Sequence, residues 1–157
     1  MPTPSEPPKL RLLVVEDDPS ISEALCALLD DCGYRATCVP TLNEARALLA
    51  PGAAPIVAIV LDMMLPDGSG EELLDELAAR TSSPAVIILS ASRDAPQIAK
   101  RFGVASVGKP FDLDYLLAAL RVAIESKNRP TRPPTLPAAL QREREGRDEP
   151  PDSADPL

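Results

Sequence analysis

The stretch LLVVEDDPS (Leu12–Ser20) runs four apolar residues into three consecutive acids, Glu16, Asp17 and Asp18, and then a proline. Four β-branched or aliphatic residues without polar alternation predict a strand covered on both faces, as in a parallel sheet. Asp18 followed by Pro19 predicts a helix start, with the acid as N-cap and the proline at the first helical position. Ile21, Ala24, Leu25, Leu28 and Leu29 then repeat at helical spacing, and Gly33 suits the stop. A buried strand feeding a helix through a polar turn is half of a βαβ unit, and the same pattern recurs down the chain.

Apolar runs predict strands at Leu10–Val15 (which includes Leu12–Val15 of the opening stretch), Tyr34–Val39, Ile56–Leu61, Ala85–Leu89 and Val104–Val107. Between them, TLNE (41–44) and SGEE (69–72) read as capping boxes opening the second and third helices. Asp94 is the expected cap of a short fourth helix that stops at Gly103, and Asp112 caps a fifth carrying Leu113, Leu116, Leu117, Leu120 and Ile124. Five βα units within Lys9–Lys127 predict an α/β fold: a doubly wound, five-stranded parallel sheet of flavodoxin-like type with helices on both faces. Residues 1–8 hold four prolines and residues 128–157 seven, with few large apolar residues, so both tails are expected to be disordered. PAALQREREGRD (137–148) is read as a solvated charge run, with a short helix as the alternative.

Composition narrows the chemistry. The chain of 157 residues has a net charge of −8, which argues against a nucleic-acid-binding surface. No run approaches the length of a membrane span, and MPTPSEPPK lacks the apolar core of a signal peptide. The absence of histidine removes Ser/His/Asp and Cys/His catalysis and His-based zinc sites. Cys26, Cys32 and Cys38 are expected to be three reduced core thiols of a cytoplasmic protein.

Open parallel sheets place chemistry at the carboxyl ends of their strands. Those ends hold Glu16, Asp17 and Asp18; Asp62 in AIVLDMMLPDG (58–68); Ser90 in VIILSAS (86–92); and Lys109 in ASVGKPF (105–111). Several carboxylates without His or Cys suit a hard cation such as Mg²⁺, which would offset their repulsion. Lys109 adds an ammonium and Ser90 a hydroxyl. Together they can stabilise phosphoryl oxygens while Asp62 serves as nucleophile. Each residue alone has an ordinary reading as a helix cap, a strand-end serine or a surface lysine. A flavodoxin-like cofactor protein is possible on fold alone, but the acids would repel a flavin phosphate.

LLVVEDDPS, LDMMLPDGSG, LSA and GKPFD, in this order and spacing, resemble the receiver domain of two-component response regulators over Lys9–Lys127. The resemblance implies that Asp62 accepts a phosphoryl group from a phosphohistidine on a sensor histidine kinase or phosphotransfer protein. It implies that Asp17 and Asp62 bind Mg²⁺ directly, Glu16 through water and Met64 through its backbone carbonyl. Ser90 and Lys109 would contact the phosphoryl oxygens, and Lys109–Pro110 would be cis. Such a protein acts by binding a downstream protein target, as a monomer or weak homodimer, without direct nucleic-acid or membrane contact. It is not an enzyme beyond its own phosphorylation and dephosphorylation. An aspartate-based phosphatase would need an acid at Met64.

One departure matters. The family's aromatic three residues before the lysine is replaced by Ser106, and Gly103–Lys109 is one residue short. A serine cannot report phosphorylation by burying a ring, so the face of the fourth helix, fifth strand and fifth helix is expected to move less or differently. The alternative function is a pseudo-receiver scaffold that keeps the fold without using phosphate. Apolar Met64, which cannot orient water, predicts slow self-dephosphorylation.

Overall fold

The computed structural model describes residues 7–128; the readings made for residues 1–6 and 129–157 lie outside them. Seven strands and five helices follow in the order β1 (Arg11–Val15), α1 (Pro19–Asp31), β2 (Arg35–Val39), α2 (Leu42–Leu48), β3 (Ala58–Leu61), β4 (Met64–Leu65), β5 (Gly68–Ser69), α3 (Gly70–Ala78), β6 (Ala85–Ser90), α4 (Ala95–Phe102), β7 (Ala105–Gly108) and α5 (Leu113–Asn128). Five strands form one parallel sheet ordered β2-β1-β3-β6-β7. The short hairpin β4–β5 stands apart, with Met64 opposite Ser69 and Leu65 opposite Gly68. It was not expected from the sequence, because strands of two residues are too short to show a period.

Alternation along the strands sorts the core into two layers. Leu13, Val15, Ile59, Leu61, Val86 and Ile88 pack against α2, α3 and α4. Leu12, Val14, Ala58, Val60, Ile87 and Leu89 pack against α1 and α5. The burial of both strand faces explains the unbroken Val/Ile/Leu runs, and β2, at the edge, is correspondingly less buried.

Most helix starts follow the sequence. Asp18 Oδ1 accepts the N–H groups of Ser20 and Ile21 at 2.9 and 3.4 Å, and Asp112 Oδ1 accepts that of Asp114 at 2.8 Å. Thr41 Oγ1 accepts from Glu44, whereas Ser69 accepts from Glu71 rather than from Glu72. Asp94 occupies the N-cap of α4 but makes no side-chain cap bond, since its backbone is already helical (φ −82°, ψ −13°) and the carboxylate does not fold back over the first turn. Gly103 closes α4 in the left-handed conformation at φ 68°.

The cysteines correct the expectation of three core thiols. Cys26 and Cys38 are paired as a disulfide, with Cα atoms 6.5 Å apart, and Cys32 is exposed. Packing of α1 directly against β2 sets Cys26 on the inner side of the helix opposite Cys38 on the strand, while Cys32, at the helix C-cap, faces outward.

Ile87, fully buried in the layer under α1 and α5, is the clearest measure of that packing. Ile87→Ala is expected to lower unfolding stability by about 2–5 kcal/mol, read from urea denaturation.

Candidate functional site

Strand order reverses between β1 and β3, which leaves a crevice where their carboxyl ends diverge. Main-chain bonds continue past the strands and hold the exits in register: Glu16 N–H donates to Val39 O (3.1 Å), Asp62 N–H to Val15 O (3.0 Å) and Lys109 N–H to Ser90 O (3.1 Å). Glu16, Asp62 and Ser90 are therefore 3, 7 and 3% exposed, and they are the buried polar or charged residues among those described.

Three of the strand ends meet through side chains. Lys109 Nζ lies 2.7 Å from Glu16 Oε2 and 3.1 Å from Asp62 Oδ2. Asp17 is exposed, and one carboxylate oxygen from each of Glu16, Asp17 and Asp62 lies within 4.8 Å of the others. Neighbouring N–H groups take the remaining oxygens of the two buried acids: Met64 N–H donates to Asp62 Oδ1 (3.3 Å) and Asp18 N–H to Glu16 Oε1 (3.2 Å). Ser90 ends β6, next to β3, where its Oγ accepts the Ser92 N–H at 3.1 Å, leaving the hydroxyl proton available to donate. Among the described hydrogen bonds, none joins the Ser90 side chain to Asp62 or Lys109. Met64 contributes backbone to the site, its side chain being 75% exposed. Lys109–Pro110 is cis, as expected.

An oxygen-only donor set this close suits a hard divalent cation, so the residues fit Mg²⁺. Glu16, Asp17 and Asp62 would hold it, and its chemistry there would be to neutralise charge on oxygen.

Residues 12–121 match the response regulator receiver domain family. The chain belongs to that family. This receiver is 32% identical over 127 residues to the KDP operon transcriptional regulatory protein KdpE of Escherichia coli, covering 80% of this chain and 56% of that one. It is 36% identical over 116 residues to KdpE of Mycobacterium tuberculosis, covering 72% and 50%. The chain spans about half the length of the curated relatives it matches. Among solved structures, the non-phosphorylated HemR receiver domain of Leptospira biflexa superposes with a TM-score of 0.68 at 32% identity, over 79% of this chain and all of that one. The beryllofluoride-activated NtrC4 receiver domain dimer gives 0.67 at 31%, covering 75% and 98%. No described helix of this receiver is long and apolar enough to cross a membrane.

Two features of the receiver site escaped the sequence. Gly70 approaches so closely that a Cβ there would lie 2.6 Å from Asp62 O, while its N–H donates to Met63 O at 2.9 Å. A glycine in a DGSG loop gives no hint of which backbone it must approach. Asp67 accepts the N–H groups of Leu42 and Asn43, both at 2.9 Å. These partners lie 25 and 24 residues away in the sequence, beyond any local pattern. Ser106 lies in β7, opposite Ile88 and three residues before Lys109.

The electrostatics are asymmetric. Burial pushes the Glu16 carboxyl above its ordinary value of 4.5, and nearby Asp62 pushes the same way, against the Lys109 hydrogen bond. For Lys109, burial favours loss of the proton, but the bonds to Glu16 and Asp62 outweigh it and hold its pKa above 10.5. The two directions agree physically: the ammonium faces two carboxylates, whereas Glu16 must share one ammonium with Asp62. A carboxyl whose folded pKa is raised penalises the folded state once ionised. That penalty is present above the folded pKa and is relieved as pH falls through it. Glu16→Gln in EDTA is therefore expected to melt at higher temperature than the unsubstituted protein at neutral pH, with the gap narrowing as pH falls toward 4.5. Thermal melts across pH check this.

Proposed function

We propose that this receiver is a phosphoacceptor: Asp62 takes a phosphoryl group from a phosphohistidine on a sensor histidine kinase or phosphotransfer protein. The observation that carries the reading is Asp62 itself, 7% exposed and set between the carboxylates of Glu16 and Asp17 and the Lys109 ammonium. An oxygen of Asp62 attacks phosphorus, the phosphorus–nitrogen bond breaks, and its electron pair returns to the partner's imidazole. The product is an acyl phosphate on Asp62. Lys109, 3.1 Å from Asp62 Oδ2, can turn from the carboxylate to a phosphoryl oxygen of the same charge sign. Ser90, one strand away with its hydroxyl proton available, can donate to a second. Glu16, Asp17, Asp62 and the Met64 backbone carbonyl are the proposed Mg²⁺ ligands, with Glu16 acting through water.

Receiver domains are signalling modules, and the proposed output is altered binding of a downstream protein by the domain 9–127, in the cytoplasm. Its only chemistry would be on itself: gaining the phosphoryl group from a donor and losing it to water. Ser106 favours a second reading, a scaffold that does not switch on phosphate, since no aromatic ring stands at that position to move.

Acetyl phosphate with Mg²⁺ separates the two. Intact mass should show one phosphoryl group added to the unsubstituted protein and none on Asp62→Asn; an unmodified parent protein would favour the scaffold. Met64, exposed beside Asp62 and apolar, offers no group to orient an attacking water. Met64→Asn is expected to lose the phosphoryl group several-fold faster, measured by the decay of the phosphorylated mass after donor removal.

A further inference from the structure

Asp67 sits at the tip of the β4–β5 hairpin, between Leu65 and Gly68, and only Met63 separates the start of that hairpin from Asp62. The hairpin begins at Met64, whose N–H donates to Asp62 Oδ1, so its first residue lies directly against the acid. Its far end is fixed by Gly70, through the bond to Met63 O and the tight approach to Asp62 O. Between these anchors the two-residue strands have little pairing of their own, and a ribbon of that length does not hold itself. The tip is tied elsewhere: both Asp67 oxygens accept from α2, Oδ1 from Leu42 and Oδ2 from Asn43.

The anchor on the other side is firm. Leu42 is fully buried, and its Cδ1 would lie 3.0 Å from a Cβ built on Gly68, so helix start and hairpin are already in close contact. Arg46 then braces α2 against α3 through Glu76 at 2.8 Å, a pair that includes no hairpin residue. The two N–H donors, Leu42 foremost, keep Asp67 below its ordinary value of 3.8, so at neutral pH the clamp is a pair of charge-assisted bonds.

We infer that Asp67 is a positioning residue for the cation site: by clamping the hairpin tip to the start of α2, it fixes where the Met64 backbone carbonyl stands beside Asp62. This rests on the Mg²⁺ reading of Glu16, Asp17, Asp62 and Met64. Asp67 touches neither the cation nor the phosphoryl group. It acts by restricting the one ligand that comes from backbone rather than from a strand-end side chain. Losing a support behind a metal ligand typically weakens the site without removing it.

The test is Mg²⁺ affinity by isothermal titration calorimetry, well below each variant's melting temperature, so that the readout does not depend on phosphorylation. Asp67→Ala is expected to bind Mg²⁺ about tenfold more weakly than the unsubstituted protein, the lower end of what an outer support is worth. Asp67→Asn, which keeps an acceptor oxygen for one of the two N–H groups, should recover only part of that loss. Asp67→Ser, too short to span both N–H groups, should not. If Asp67→Ala does not fold, the Asn and Ser variants carry the test between them. A lowered melting temperature with unchanged Mg²⁺ affinity would reduce Asp67 to a helix cap and overturn the inference. Asp17→Ala is the control for the underlying reading: if it binds Mg²⁺ as tightly as the parent, the cation site itself is wrong and the positioning role falls with it. If Asp17→Ala loses binding while all three Asp67 variants match the parent, only the positioning role is overturned.

Discussion

One ammonium shared by two buried carboxylates is the interaction around which the working edge of this protein is arranged. Lys109 reaches Glu16 at 2.7 Å and Asp62 at 3.1 Å, joining the exits of β1, β3 and β7 across the sheet. Removing both acids from water is unfavourable, and a single cation cannot satisfy two of them. The deficit of positive charge is the site's chemical capacity. The carboxylates of Glu16, Asp17 and Asp62 could share a divalent cation, and the two acids hold Lys109 in its charged form.

The fold makes this arrangement possible by holding the exits with main-chain bonds rather than side chains. The bonds from Glu16, Asp62 and Lys109 N–H extend the parallel ladders one residue beyond the strands. Each charged side chain therefore starts from a fixed backbone. Behind them lie the two buried aliphatic layers. The loop after Asp62 is the exception. It leaves the sheet, forms a hairpin of minimal length, and makes its contacts through Gly70 and Asp67.

Much of this was legible in the sequence because the signals are local. Uninterrupted Val/Ile/Leu runs marked the buried strands, and Asp18, Thr41, Ser69 and Asp112 marked helix starts through short-range cap bonds. The failures share a cause. Asp94 stands at the N-cap, but its backbone is helical and its side chain makes no cap bond. Cys26 and Cys38 show no motif spacing, and only the packing of α1 on β2 brings them together. The hairpin is too short for periodicity, and the clamp from Asp67 to Leu42 spans 25 residues.

The sequence by itself determined the parallel α/β architecture and the residues offered at the strand exits, because hydrophobic period and capping are properties of neighbouring residues. It also supplied the family, since Glu16–Asp17, Asp62, Ser90 and Lys109 occur in one order and spacing. Only the tertiary structure decided which of these groups meet. It joined Lys109 to Glu16 and Asp62 through side chains, tied Ser90 to Lys109 through the main chain, and left Ser106 beside Ile88. Those outcomes depend on strand order and on bonds between residues tens of positions apart, where the free energy of a contact is set by the whole sheet and no short stretch of chain records it.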